Sequence, residues 1–155
     1  MSTAQLDSVH AGNGGAITSP AAWISSFGQA IAEGNFPRLR ELFLVDSHWR
    51  DMGAFTWDLG SVSGINAIES LMRASIPEVR PFNFGLAAHL AAPAHALRLG
   101  REVIEVFYSF ETLAGRGTGI VRLVETADGL KAWMLLTRLE GIRGSELFGP
   151  GRRPE

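Results

Sequence analysis

The apolar positions of this chain change period partway along it. Ser19-Pro20 reads as a helix N-cap followed by proline at the first helical position. Trp23, Ile24, Phe27, Ala30 and Ile31 then recur at helical spacing until Gly34-Asn35. Phe36, Leu39, Leu42 and Phe43 predict a short second helix a few residues on. Residues 47–58 predict a strand, with Trp49, Asp51, Gly53, Phe55 and Trp57 on one face and His48, Arg50, Met52, Ala54, Thr56 and Asp58 on the other. After a predicted turn at residues 60–64, Ile65, Ile68, Leu71 and Met72 mark a third helix ending before Pro77. From there alternation takes over. Residues 81–91, 94–99, 103–113, 117–125 and 130–140 predict strands, with turns at residues 114–117 and at Asp128-Gly129.

Three helices followed by a meander define an α+β class. The expected form is a curved antiparallel sheet of four to six strands wrapped around the helices, a cone with an apolar interior. Residues 18–142 form the predicted single domain. Residues 1–17, rich in small and polar residues, are expected to be a flexible arm, and residues 143–155 an irregular tail.

Composition narrows the chemistry. The 155 residues carry a net charge of −2, which offers no electrostatic case for nucleic acid or an anionic membrane. Cysteine is absent, which excludes disulfides, thiolate nucleophiles and Cys-based metal sites. No Lys or Arg precedes Arg38, so no basic leader is expected and the cytoplasm is the default location. The most apolar run, residues 85–97, is broken by His89, Pro93 and His95 and is too short to span a bilayer. The two histidines belong to no His-x-His or His-Glu-x-x-His pattern, and no metal site is predicted. Residues 115–119, Gly-Arg-Gly-Thr-Gly, superficially match a phosphate loop but lie between two strands, where a hairpin turn is expected.

Asp51 is the candidate catalytic residue. A carboxylate among aromatic side chains is costly unless it is paired, hydrogen-bonded or used, and burial suits it to acid or base work near neutral pH. The competing reading is a structural carboxylate paired to Arg116 or Arg122. The candidate ligand-binding set is Phe27, Trp49, Phe55, Trp57, Phe107, Trp133 and Arg122, lining the cone, although aromatics at strand spacing also serve as plain core. Glu105, Phe107, Ser109 and Glu111 share one face of their strand, while Ile104, Val106, Tyr108 and Phe110 share the other. The pattern leaves open which face looks inward.

The order helix, helix, strand, helix, meander resembles the nuclear transport factor 2-like superfamily, including ketosteroid isomerase, scytalone dehydratase, limonene epoxide hydrolase and the SnoaL-type polyketide cyclases. The run Ala30-Ile-Ala-Glu-Gly34-Asn, then Leu42-Phe43 and Trp49-Arg50-Asp51, is similar to ketosteroid isomerase. That resemblance implies Asp51 at the position of the general base. It also puts Phe27 where the family has its catalytic tyrosine, and Gly119 to Leu123 where it has a protonated acid. Trp49-Arg-Asp51, Ala54-Phe-Thr-Trp-Asp58, Phe107-Tyr-Ser-Phe-Glu-Thr112, Gly115-Arg-Gly117, Val121-Arg-Leu-Val124 and Lys131-Ala-Trp-Met-Leu-Leu-Thr137 resemble the domain that precedes the flavin domain in some flavin-containing monooxygenases. No strand–GxGxxG–helix unit is present, so no cofactor is implied.

Two functions are therefore expected from the resemblance. One is a cofactor-free isomerase, cyclase, dehydratase or epoxide hydrolase acting through Asp51 on a small apolar substrate. The other is a non-catalytic ligand-binding or accessory domain, with a flavin monooxygenase as possible partner. A homodimer through the sheet is expected in either case.

Overall fold

A computed structural model describes residues 16–57 and 59–142 of the chain. Residues 1–15 of the arm expected over 1–17, the tail expected over 143–155 and Asp58 lie outside the described residues. Ile17, assigned to the arm by its composition, is buried and bridges to Gly129.

The first helix, α1 (Pro20–Glu33), begins and ends where its caps dictate. Ser19 Oγ accepts from the Ala22 N–H at 3.1 Å, and Gly34 adopts a left-handed conformation (φ 64°). The Gly34 and Asn35 N–H groups then bond back to Ile31 and Ala30, closing the last turn. Its apolar stripe, Trp23, Phe27 and Ile31, is buried. α2 (Phe36–Glu41) follows, then β1 (Phe43–Met52) and β2 (Leu59–Ser63). α3 (Ile65–Val79) carries Pro77 in its last turn rather than ending before it. A proline there lacks one N–H donor, and the helix still closes with the Arg80 N–H on the Ile76 carbonyl at 2.8 Å.

The remaining strands are β3 (Phe82–Leu86), β4 (Ala94–Arg98), β5 (Arg101–Glu111), β6 (Gly115–Thr126) and β7 (Gly129–Ile142). All seven join one curved sheet in the order β2-β1-β7-β6-β5-β3, with β4 also pairing β5. The sheet is mixed, because β1 runs parallel to β7. The predicted turn at residues 60–64 is mostly strand: β2 pairs antiparallel with β1, setting Asp51 opposite Gly60.

The inner face of β5 carries Val106, Tyr108 and Phe110, all buried. Glu105, Phe107, Ser109 and Glu111 therefore face outward. The glycine run predicted as a turn is instead the first part of β6, and the turn itself is held by Thr112, whose Oγ1 accepts from the Ala114 and Gly115 N–H groups. Gly119 pairs with Tyr108 and Gly117 with Phe110. A Cβ at Gly117 would stand 2.4 Å from the Phe110 ring, and one at Gly119 2.2 Å from the Leu136 carbonyl and 2.4 Å from the Tyr108 hydroxyl. These glycines exist to seat two rings.

The interior of the cone is filled by the protein's own aromatic groups. Phe84 stacks on Phe110 at 5.2 Å and meets Phe27 edge-on at 5.3 Å. Phe27 stacks on Trp23 at 4.9 Å, and Phe55 meets Trp49 edge-on at 5.1 Å.

Candidate functional site

Asp51 lies at the inner end of β1, where it is 2% exposed. One residue later the strand stops, and Gly53 (φ 87°) turns the chain back. The turn aims two backbone donors at the carboxylate. The Phe55 N–H lies 3.0 and 3.1 Å from its two oxygens, and the Thr56 N–H lies 2.9 Å from Oδ2. The Thr56 hydroxyl adds a longer contact at 3.3 Å. From β7, where Thr137 is the parallel partner of Asp51, the Thr137 hydroxyl donates to Oδ1 at 2.5 Å. Trp49 Nε1–H in turn donates to Thr137 Oγ1 at 2.8 Å.

The result is a directed chain from indole to hydroxyl to carboxylate, with backbone amides completing the shell. Both carboxylate oxygens are engaged by protein donors. Neither arginine of the expected pairing is among those donors. Arg122 lies on the outer face, 2.9 Å from Glu105, and Arg116 is exposed.

The period-two reading of residues 47–58 holds only to Met52. Beyond it the chain is a turn, so Phe55 packs inward while Trp57 is 74% exposed. The structure brings Asp51, Trp49 and Phe55 together, with Phe27 in the same interior cluster. It places Phe107 and Arg122 on the opposite face of the sheet. Trp133 sits at a register shift in β7, outside that cluster, with the Arg101 guanidinium 4.8 Å over its ring.

Sequence reasoning missed two groups. Thr137 could not be paired with Asp51 without knowing that β1 and β7 are neighbours. Tyr108, on a strand face whose direction the pattern leaves open, points inward near enough to Asp51 to feel its charge. Burial pushes the Tyr108 hydroxyl well above its ordinary range, and that charge pushes it further. The hydroxyl donates to the Leu136 carbonyl at 2.8 Å.

Clefts open around the filled interior. One, of about 370 Å³, lies at the mouth of the cone between the turn after β1, α3 and the turn between β5 and β6. Phe55, Trp57, Leu71, Val79 and Leu113 supply its apolar walls, with Glu78 as its one charged group among the described residues. A second, of about 440 Å³, lies on the outer face of the sheet. Asp51 lines neither.

A curved mixed sheet packs over three helices, and aromatic rings close its interior. No protein-family model matches the sequence, and no curated protein matches it. Solved structures do match the fold. A domain of unknown function with a cystatin-like fold from Nostoc punctiforme superposes with a TM-score of 0.56 at 10% identity, over 96% of this chain and 85% of that one. An NTF2-like protein with a cystatin-like fold from Novosphingobium aromaticivorans gives 0.52 at 14% identity, over 92% and 90%. A putative calcium/calmodulin-dependent protein kinase II association domain from Xanthomonas campestris gives 0.54 at 12% identity, over 77% and 84%. The fold is the NTF2-like, cystatin-like α+β cone.

Proposed function

We propose that this is a non-catalytic binding domain whose mouth cleft takes a small apolar molecule. The observation that carries the reading is the use made of Asp51. A general base needs a lone pair facing its substrate, and here the carboxylate holds the turn after β1 through the Phe55 and Thr56 amides and locks it to β7 through Thr137. That turn presents Phe55 and Trp57 to the cleft. Asp51 is thus a positioning residue for a binding wall.

The cleft suits this role. Its volume of about 370 Å³ falls in the range of small-ligand sites, its lining is mostly apolar, and Ser75, Thr56 and Glu78 offer a few polar contacts at its edge. The neutral dye Nile red is a direct probe. It should bind with enhanced fluorescence, and Trp57→Ala, which alters a largely exposed side chain, should abolish the enhancement while leaving the melting temperature unchanged. Equal binding by the parent and the variant would overturn the reading. So would a substrate turned over by the parent but not by Asp51→Asn.

A further inference from the structure

The outer face of the sheet carries a feature that the mouth cleft does not explain. Its groove of about 440 Å³ has an apolar floor made by Ile120, Met134 and Leu136. The strand register sets two rows across this floor. One runs Ser63, His48, Met134, Arg122, and the next runs Ser61, Arg50, Leu136, Ile120. Three nitrogen-bearing side chains, His48, Arg50 and Arg122, therefore stand around one apolar patch. Among the described residues lining the groove, none is acidic.

The charge is not cancelled from the side. Glu105 is the carboxylate nearest Arg122 in the register, and it is already held by both nitrogens of an Arg98 fork, at 2.8 and 3.0 Å. Arg122 Nε reaches the same Oε2 at 2.9 Å. Two guanidiniums thus share one carboxylate, so Arg122 is only partly neutralised, and its Nη1 rests 3.4 Å from Met134 Sδ on the groove floor. Arg50, exposed on β1, has no ion pair among the described residues. His48 Nδ1 is 2.8 Å from Ser63 Oγ, which orients the ring and leaves Nε2 without a hydrogen bond to any of the described residues.

We propose that this groove is a binding site for a small carboxylate-bearing amphiphile. Its apolar body lies on Ile120, Met134 and Leu136, and its carboxylate is received by Arg50, with Arg122 and His48 beside it. A guanidinium presents parallel N–H donors that match a carboxylate, and an apolar floor beneath it excludes the competing water. The site is independent of the mouth cleft, which lies at the end of the cone and not on this face.

Octanoate, with octanol as its uncharged counterpart, tests the assignment by isothermal titration of the full chain. Octanoate should bind with a stoichiometry of one per chain, and Arg50→Gln should weaken it at least roughly tenfold, the worth of one charge-assisted hydrogen bond. His48→Gln should weaken it less, and Trp57→Ala should leave it unchanged, which separates this site from the mouth cleft. Octanol should bind the parent more weakly than octanoate and be insensitive to Arg50→Gln. Equal affinity for octanoate and octanol would overturn the proposal, as would an unchanged affinity in Arg50→Gln. A sedimentation result showing a dimer that octanoate neither binds nor dissociates would assign the face to a second copy of the chain, and would also overturn it.

Discussion

Replacing Asp51 separates a structural carboxylate from a catalytic one by the sign of its effect on stability. In Asp51→Ala the Phe55 N–H and the Thr137 hydroxyl, both buried, lose their acceptor, while the half-buried Thr56 N–H can turn to water. A buried donor left unsatisfied costs about 1–3 kcal/mol, so two cost on the order of 4 kcal/mol together. Asp51→Asn keeps one acceptor oxygen but sets an NH2 group against donors, at a cost of about 2 kcal/mol. For a chain of this length each kcal/mol shifts the melting temperature by roughly 2–4 °C, so the expected losses are about 12 °C for alanine and about 6 °C for asparagine. Urea titration followed by tryptophan fluorescence, with thermal melts by circular dichroism, measures both. A carboxylate kept for chemistry at the expense of stability behaves in the opposite way, since neutralising it relieves the fold. An asparagine variant as stable as the parent, or more stable, would refute the assignment of Asp51 as the anchor of the turn.

Other expectations follow from the same structure. Gly119→Ala should cost about 3 kcal/mol or more, because its Cβ meets the Leu136 carbonyl, a backbone atom that cannot step aside; a melt within a degree of the parent would contradict it. Tyr108→Phe should cost about 1 kcal/mol through loss of the hydrogen bond to Leu136, read in the same denaturation assay. Burial pushes the Glu105 carboxyl up, and hydrogen bonds from Arg98 and Arg122 more than reverse this, holding it below the ordinary glutamate range. Its contribution to stability is therefore present above the unfolded value of about 4.3 and is lost as pH falls through the lower folded value. Tyr108 acts at the other end of the scale. Its raised folded pKa gives stability that is complete below about 10 and lost as pH rises through the folded value, so Tyr108→Phe should flatten the alkaline limb of the stability profile.

Local chemistry made much of this fold legible from the sequence. Ser19, Pro20 and Gly34 bound the first helix by capping, and the spacing of Trp23, Phe27 and Ile31 names its buried face. Alternation located the long strands to within a few residues, because each has one face against the core. It failed between Met52 and Leu59, where a turn happens to continue the period of the strand before it. It also failed at residues 115–119, where glycine signals a turn in isolation but here makes room for Tyr108 and Phe110 on the neighbouring strand. The aromatic character of residues 49, 55 and 57 was plain, but their sharing of a face was not, since that depends on where the strand ends.

What the sequence by itself determined is the content of the elements and the presence of a carboxylate among aromatic residues. What only the tertiary structure decided is which groups surround that residue. The parallel pairing of β1 with β7 brings Thr137 to Asp51 across 86 positions of chain. The turn after Met52 supplies the amides, and both follow from contacts between segments whose separate patterns carry no record of each other. The same holds for the outer face, where His48, Arg50 and Arg122 come around one apolar floor because β7 lies between β1 and β6. Periodicity reports which side of an element is buried; it does not report which element lies beside it, and the candidate sites here are made by neighbours.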